Sequence, residues 1–466
     1  MTTTESSPFS SVDPEQRERM GPDQTTPPEQ GALGILLTLR KHGHEAYWAG
    51  GCVRDRLLGR IPKDFDIVTS ALPDQISPLF PKTVSIGKAF GVVGVLHNDT
   101  LFEVATFRKE HGYSDGRRPD AVEFTDARED ARRRDFTVNA LLYDPVEDKV
   151  LDFVEGRRDL KAQVIRAVGD PSTRFQEDHL RLLRAVRFAA TLDFELEPIT
   201  RKAIEEHAEQ IRTISPERVR DELVRIFTES ARPGDALQLL HDTRLLKVIL
   251  PEVAAMDGVE QPAEFHPEGD VFEHTRLMLN RMEQRTPELA LAVLLHDVGK
   301  PPTARIGPGR DGTERIRFDG HDKTGAEIAE TILKRLRFPN ALIKTVTHCV
   351  RNHMRFMHVQ EMRRAKLRTL VASPTFDIEL ELHRVDCLTS HGDLENYTFL
   401  KRYRETLAAE PAMPRAWIRG EDLIALGIPE GPEIGRLLKD AYTRQLEGDF
   451  EDRNALLEWI REQAGD

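Results

Sequence analysis

Two sets of residues in this sequence have the types and spacing to do chemistry. The first runs through Gly50-Gly51-Cys52-Val53-Arg54-Asp55 and Lys63-Asp64-Phe65-Asp66. A Gly-Gly pair between a strand and a helix lets backbone approach a ligand closely. It also offers free N–H groups at a positive helix end, which is a seat for phosphate. Asp64 and Asp66 lie two apart in an expected strand, so both carboxylates should point to one face. Two carboxylates beside a phosphate seat are what a Mg²⁺ carrying a triphosphate requires. Glu103, in the expected strand 101–107, can add a third. Taken singly, the glycines would be a turn and Asp-x-Asp a polar strand edge; it is their joint occurrence in one short segment that points to function.

The second set is His274, the adjacent pair His296-Asp297, and Asp386. A neighbouring imidazole and carboxylate at a helix end can bind one cation, and a further His and a distant Asp complete the sphere. His321 and His353 could extend this set, with His348 competing for the place of His353, because helical spacing alone does not choose between them. His266 reads as a loop or outer residue. A single His on an apolar helix is ordinarily packing; the four-residue order is what makes metal binding the reading.

These residues need elements to hold them. Residues 1–30 are rich in Thr, Ser, Pro and Glu and are expected to form a disordered tail. From Ala32 an amphipathic helix runs to Gly43, the short strand AYWAG follows, and GGCVRDRLLG opens another helix. Between Lys63 and Leu151 the runs DFDIVT, VVGVLH, LFEVATF, ALLYD and KVLDFV recur between turn residues, as in an α+β unit with a small mixed sheet. After Val168 the strands stop, and the rest reads as helices at three- and four-residue spacing, interrupted by the loop GPGRDGTERIRFDG. The expected divisions are a head over 31–170, a helical neck over 171–262, a body over 263–395 and a helical tail over 396–466.

With 466 residues the chain is long enough for about three domains. Its 66 Lys+Arg against 79 Asp+Glu give a net charge of −13, which argues against a blanket nucleic-acid coater but leaves room for a local basic groove. No apolar run approaches a membrane span, the start of the chain shows no apolar signal region, and three cysteines are too few for a disulfide framework. A cytoplasmic, multidomain protein without membrane partners is the expectation.

GGCVRDRLLGRIPKDFDIVTSA closely resembles the first motif of the class II nucleotidyltransferases, which are the tRNA CCA-adding enzymes and bacterial poly(A) polymerases of the polymerase-β superfamily. RRDFTVNAL at 133–141, EDHLR at 177–181 with LLRAVRFAA behind it, and SPERVRDEL at 215–223 follow in the family's order, so the resemblance covers roughly residues 32 to 245. It implies a polymerase-β-type head, Mg²⁺ held by Asp64 and Asp66 with Glu103 as third acid, and CTP and ATP as substrates joined to a tRNA or other RNA 3′ end. It implies that Gly50, Gly51, Arg54 and Arg184 bind the nucleotide. Arg134, Asp135 and Asn139 match the ribose-recognising segment, and Glu177, Asp178 and Arg181 the element that reads the incoming base. Asp178 and Arg181 are expected three apart on one helix face. There a carboxylate and a guanidinium pair with the edge of cytosine or adenine and reject guanine and uracil. Arg108, Lys109, Arg117, Arg118, Arg132, Arg133, Arg157, Arg158 and Arg187 are further basic residues near the site, of which about half would be solvated surface charges.

LLHDVGKPPT within the H…HD…D order resembles the HD phosphohydrolase superfamily, which implies a divalent metal of open identity and a phosphatase or cyclic phosphodiesterase activity on RNA ends. The charged, Gly-containing segment 108–124 is expected to be a mobile loop. In the family, a loop here accompanies addition of the terminal A. Together with Ile86–Val93, which looks like the CCA type, it favours CCA addition over A-only addition or poly(A) synthesis. WIRGEDLIALGIPEGPEIGRLLKDAYTRQLEGD resembles the family's C-terminal motif, implying contact with the tRNA elbow and turns at Gly420, Gly427 and Gly431. The rivals are an HD hydrolase whose head only binds RNA, and a non-catalytic RNA-binding protein.

Overall fold

A computed structural model describes residues 26–87, 90–112, 121–262, 266–308, 312, 314–407 and 413–464. The chain divides into two compact units: one runs to Glu222 and takes in Asp242–Val248, the other holds Leu223–His241 and everything from Ile249.

The first unit is built on a seven-stranded mixed sheet. Its strands are β1 (Ala46–Ala49), β2 (Asp66–Thr69), β3 (Thr83–Gly87), β4 (Val92–His97), β5 (Thr100–Thr106), β8 (Leu142–Asp144) and β9 (Lys149–Leu151). A separate antiparallel ribbon pairs β6 (Arg108–His111) with β7 (Ala121–Phe124). The sheet order is β3-β4-β5-β2-β1-β8-β9, with β2 parallel to β5 and the other pairs antiparallel. Side-chain alternation sorts the sheet into two faces. Helix Pro27–Lys41 closes one; a Cβ on its Gly31 would come 2.7 Å from Phe102, so the glycine lets helix and strand approach. The other face is covered at one end by a cluster of Ala49, Val68, Phe107, Ala127 and Leu142. Its opposite end, where β2 begins at Asp66, is open.

Four expectations change here. The first helix starts at Pro27, capped by the Thr26 hydroxyl, inside the stretch read as tail, while residues 1–25 lie outside the described residues. Asp64 precedes β2 instead of lying in it. The segment 108–124 is flanked by paired strands and not a loop throughout, with 113–120 outside the described residues. Strands also occur past Val168: β11 (Glu195–Leu196) pairs in parallel with β10 (Val164–Ile165) just before that point, and β12 (Arg305–Pro308) with β13 (Glu314–Arg317) forms a ribbon where a loop was expected. The local polar and charged composition of these segments hid their pairing.

The second unit is helical apart from that ribbon. Helix Pro287–Leu295 buries every side chain from Leu289 to Leu295, which explains its continuous apolar run. It packs among helices Val271–Asn280, Asn340–Asn352 and Phe376–Thr389. Helices Gly420–Ala425, Pro432–Glu447 and Arg453–Ala464 share a separate core around Leu423, Leu437, Leu456 and Ile460. Of the three glycines read as turns here, Gly427 has a left-handed φ of 85°, Gly420 opens a helix and Gly431 precedes one in extended backbone. Among the described residues, no helix is long and apolar enough to cross a membrane.

One close approach fixes the interior of this unit. A Cβ at Gly299 would lie 2.1 Å from the His321 carbonyl oxygen and 2.5 Å from the Gly325 nitrogen, both backbone atoms of the helix His321–Arg335 start. Gly299→Ala is therefore expected to push that helix away and destabilise the protein by about 1–3 kcal/mol. Chemical denaturation checks this; an unchanged midpoint would show that the helix start yields freely.

Candidate active site and metal centre

In the first unit the carboxylates gather where β2 and β5 run side by side. Ile67 stands opposite Val104, so one step back brings Asp66 level with Glu103, on the same face of neighbouring parallel strands. Ala49, the residue before Gly50, is paired with Asp66 on the other side. Gly50 has a left-handed φ of 75°, and a Cβ there would meet Arg134 Nη1 at 3.2 Å and Asp66 Oδ2 at 3.7 Å. The glycine is thus required both by its backbone conformation and by the groups above it. Asp66 reaches solvent, yet the protein around it removes enough water to push its carboxyl up to about 6; Arg134 opposes that shift, and the charges of Asp64 and Glu103 add to it. Asp66 and Glu103 thus stand level on adjoining strands, while the exposed Asp64 lies in the loop before β2.

Beside them runs a chain of polar contacts. Arg54, almost fully buried, donates from Nη1 to Asn139 Oδ1 at 2.6 Å and stacks over Phe188 at 5.3 Å. Asn139 donates to Asp135 Oδ1 at 3.3 Å, and Arg184 donates to Asp135 Oδ2 from two nitrogens at 3.0 and 2.6 Å. Burial would raise the Asp135 carboxyl, but the Arg184 guanidinium outweighs it and holds the group down at about 2. Asp135 is therefore an ionised acceptor throughout the working range. Arg133, Arg134, Asp135, Asp178, Arg181 and Arg184 line a cavity of about 290 Å³.

The base-reading pair departs from its expected geometry. Helix Pro171–Glu177 ends before Asp178, which is extended (φ −141°), and a new helix starts at Arg181. The two do not stand one turn apart on a helix; they face the same cavity from either side of a turn. Each is held by another group: Arg181 Nη1 donates to Glu177 Oε2 at 2.6 Å and to the Arg174 carbonyl at 3.0 Å, and Arg218 Nη2 donates to Asp178 Oδ2 at 3.2 Å. Glu177 is thus a support for Arg181.

Sequence reasoning missed Asp130, which is fully buried and bonds Arg133 and Arg134, three and four residues later on the chain. That spacing was a usable signal. It also missed Glu222, whose carboxylate accepts from Arg187 Nε at 2.6 Å. No local spacing connects those two. Several of the other basic residues also have local acidic partners: Arg108 and Arg133 pair with Glu110, Arg132 with Glu129 and Arg158 with Glu155. Arg117 and Arg118 lie outside the described residues.

In the second unit all six ring and carboxylate candidates converge. His274, His296 and Asp386 form one ligand-like group, and Asp297, His321 and His353 another. The sequence neighbours His296 and Asp297 join them, with Nε2 and Oδ2 3.1 Å apart. The contest between His348 and His353 is decided for His353, which sits 3.2 Å from His321 ring nitrogen to ring nitrogen, while His348 turns to Glu379. His296, His321 and His353 each place Nδ1 within 2.7–2.8 Å of a backbone carbonyl, of Val293, Phe318 and Val350 respectively. Nδ1 is then the donor, and the lone pair of Nε2 faces the centre. His274 does the same through Glu268 Oε1 at 2.5 Å. The Nε2 atoms of His274 and His296 are buried without a hydrogen-bond partner. Buried polar atoms are rarely left so, and a divalent cation is the species that two aligned lone pairs beside two carboxylates would hold. Burial would lower His274, but Asp386 and Glu268 on its two nitrogens hold it up at about 9, so a cation would have to displace the proton from Nε2 before His274 could ligate it, whereas burial pushes His353 down to about 4 and leaves its ring neutral. The centre opens into a cavity of about 430 Å³ that also reaches Lys300, Arg317 and Met354. Glu268, a support missed in the sequence, also bonds His266 at 3.0 Å, and with His274 the two make a further ligand-like group.

Three family models match in order: the Poly A polymerase head domain over residues 46–166, the probable RNA and SrmB-binding site of polymerase A over 193–256, and the HD domain over 270–380. The CCA-adding enzyme of Geobacillus sp. (strain WCH70) is 48% identical over 219 residues, 47% of this chain and 54% of that protein. In that match and several like it, the chain spans about half the length of the curated relative. The CCA-adding enzyme of Lactobacillus johnsonii is matched almost end to end, at 33% identity over 430 residues, 91% of this chain and 95% of the relative. The structure of the Bacillus stearothermophilus CCA-adding enzyme in complex with CTP superposes with a TM-score of 0.71 at 27% identity, covering 94% of this chain and 98% of that one. The Thermotoga maritima CCA-adding enzyme complexed with tRNA shares the fold at 21% identity, with a TM-score of 0.62 over 95% of this chain and 97% of that one. An α+β head with its carboxylates on a mixed sheet, followed by helices and an HD domain, together with this full-length relative, makes the chain a member of the CCA-adding enzyme family.

Proposed function

We propose that the chain is a template-independent nucleotidyltransferase that adds C, C and A, from CTP and ATP, to the 3′ end of tRNA. The observation that carries this reading is the alignment of Asp66 with Glu103 across two parallel strands, next to Gly50 and the cavity of Asp135, Asp178, Arg181 and Arg184. The relative solved with CTP supports the nucleotide and the one solved with tRNA supports the acceptor.

In the proposed reaction the RNA 3′-hydroxyl attacks the α-phosphate of the bound nucleotide, and pyrophosphate leaves. Asp64 and Asp66, with Glu103, would hold Mg²⁺, which supplies charge neutralisation at the triphosphate and acidifies the attacking hydroxyl. The residues fit: Asp66 and Glu103 present two carboxylates level on one sheet face, with Asp64 in the loop just before them. Gly50 leaves room for the triphosphate, and Arg134 stands next to it. Asp135 and Asn139, fixed by Arg184 and Arg54, offer an acceptor and an amide to the ribose. Asp178 would accept from the exocyclic amino group of cytosine or adenine and Arg181 donate to the ring edge, whereas guanine and uracil present the wrong pattern.

For the second unit we infer a divalent-cation centre with His274, His296, Asp297, His321, His353 and Asp386 as ligands, and metal-dependent phosphohydrolase activity on an RNA end as its use. The two ligand groups meeting at His296-Asp297 favour a pair of cations.

Asp66→Asn keeps side-chain shape and is expected to lower nucleotide incorporation at least about 100-fold. Labelled CTP and ATP with tRNAs lacking three, two or one terminal nucleotides measure this. They also report the product: a wild type that extends only the longest tRNA is an A-adding enzyme, and a long A tail marks a poly(A) polymerase. Arg181→Ala should reduce discrimination against UTP and GTP by about tenfold or more, read as ratios of kcat/KM; unaltered ratios would refute the base-reading role. His296→Ala should remove divalent metal from protein dialysed against trace zinc, manganese or nickel while incorporation continues. Equal metal content in wild type and variant, measured by mass spectrometry, would refute the second centre.

A further inference from the structure

The cavity over the second centre is walled by nitrogen donors as well as by the ligand-like groups, and the donors differ in what they already hold. Lys300 Nζ lies 2.6 Å from Asp297 Oδ2 and donates to Gln261 Oε1 at 2.6 Å. Arg317 donates to Asp319 at 3.1 Å and to the Pro308 carbonyl at 2.9 Å. Both ring nitrogens of His383 stand against Cys387 Sγ, at 3.6 and 3.7 Å. His391 is different. It lines the same cavity as Asp297, His321, His353 and Asp386, from the turn that follows helix Phe376–Thr389. That turn is pinned at both ends. Gly392, with a left-handed φ of 76°, donates its N–H to the Cys387 carbonyl at 2.7 Å, and Asp393 Oδ1 accepts from the Glu395 amide at 2.8 Å.

The His391 ring is set the opposite way from the ligand histidines. In His296, His321 and His353 Nδ1 donates to a carbonyl oxygen, so the lone pair is on Nε2. In His391 the partner of Nδ1 is itself a donor, the Asp393 amide, at 3.0 Å. Nδ1 must then accept, and the ring proton sits on Nε2. A ring in that tautomer offers the cavity an N–H where its neighbours offer lone pairs. We propose that His391 Nε2 is a hydrogen-bond donor to a substrate phosphate, at an oxygen that the cations leave uncovered. The inference rests on the phosphohydrolase reading above. A tetrahedral phosphate drawn to cations on one side turns its remaining oxygens toward the other walls. A fixed N–H there stabilises the charge that grows as the ester bond breaks. In that step the oxygen of water bonds to phosphorus, the ester P–O bond breaks with its electron pair on the leaving oxygen, and a proton from the water ends on that oxygen. His391 keeps its own proton throughout.

Two amide substitutions separate this role from a structural one. A Gln amide nitrogen reaches the place of Nε2, whereas an Asn carbonyl oxygen can take the Asp393 N–H in place of Nδ1. The probes are p-nitrophenyl phosphate and an RNA oligonucleotide ending in a 2′,3′-cyclic phosphate, with the full chain loaded with manganese. His391→Ala and His391→Asn are expected to lower kcat/KM about 100-fold, while His391→Gln stays within about tenfold of wild type. Metal content and nucleotide incorporation should be unchanged in all three. Activity kept by the Asn variant and lost in the Gln variant would make His391 a brace of its own turn and overturn the proposal. Loss of metal in all three would make it a ligand and overturn it equally. Two readouts need no turnover. In metal-free protein with ¹⁵N-labelled histidine, above the histidine titration range, the ring signals lost in His391→Gln should be those of an Nε2–H tautomer; an Nδ1–H tautomer would refute the assignment. Vanadate, which mimics phosphate in its transition state, should bind the loaded His391→Ala protein about tenfold more weakly than wild type; equal binding would refute the donor. If wild type hydrolyses neither probe while the last two results hold, the phosphohydrolase reading fails and the phosphate donor stands.

Discussion

Placing carboxylates level with one another on neighbouring strands of one sheet face is unfavourable, and the first unit does so with Asp66 and Glu103. Asp66 and Glu103 are placed side by side by the parallel pairing of β2 with β5, and Asp64 is brought in by the turn into β2. Loss of water lifts the Asp66 carboxyl to about 6, with the charges of Asp64 and Glu103 adding to the shift and Arg134 opposing it. The backbone supplies the rigidity: buried residues Ile67, Val68 and Val104 anchor both strands immediately beyond the acids. Gly50 matters for the same reason, since any side chain there would crowd Arg134 and Asp66 together.

The polar cavity beside the carboxylates obeys the opposite rule. There every charge has a counter-charge: Asp135 with Arg184, Arg181 with Glu177, Asp178 with Arg218, and Glu222 with Arg187. The proposed selection of a base by side chains in place of a template strand demands that those side chains do not wander, and long guanidinium arms wander unless something holds them. The ion pairs hold them, and their worth is orientation more than stability, because desolvation consumes much of the attraction between buried charges. The second unit reaches the same end by a cheaper route. Its histidines are aimed by backbone carbonyls and by Glu268, which fix the ring tautomers so that Nε2 lone pairs converge.

Much of this was legible in the amino-acid order. The Gly-Gly turn, the acidic strand starts and the α+β head followed by helices all lie in local patterns, and local patterns are what propensity and alternation report. The convergence of His274, His296-Asp297 and Asp386 followed from their order along the chain. The failures share one cause. Asp178 and Arg181 looked like one helical turn because their spacing permits it, but the chain breaks the helix between them, where Asp178 turns toward Arg218, forty residues on. The ribbon β12–β13 is polar and exposed and shows little alternation, so only its partner strand reveals it. Glu222 and Glu268 carried no signal, since their roles are set by residues distant in sequence or by a loop.

The break at Asp178 has a consequence for how a base is read. Were the pair on one helix, its geometry would be as rigid as the helix, and one hydrogen-bonding edge would be presented to every nucleotide. Instead Asp178 belongs to a turn, held by Arg218 and by the Leu180 amide, and Arg181 to the first turn of the next helix, held by Glu177 and the Arg174 carbonyl. Each half of the reading edge is steered by its own tether, so the spacing between acceptor and donor depends on two joints and not on the fixed rise of one helix. Cytosine and adenine both offer an exocyclic amino group beside a ring nitrogen, but on rings of different size. In the proposed role, two separately held groups set the spacing for both rings while keeping the donor and acceptor order that guanine and uracil lack.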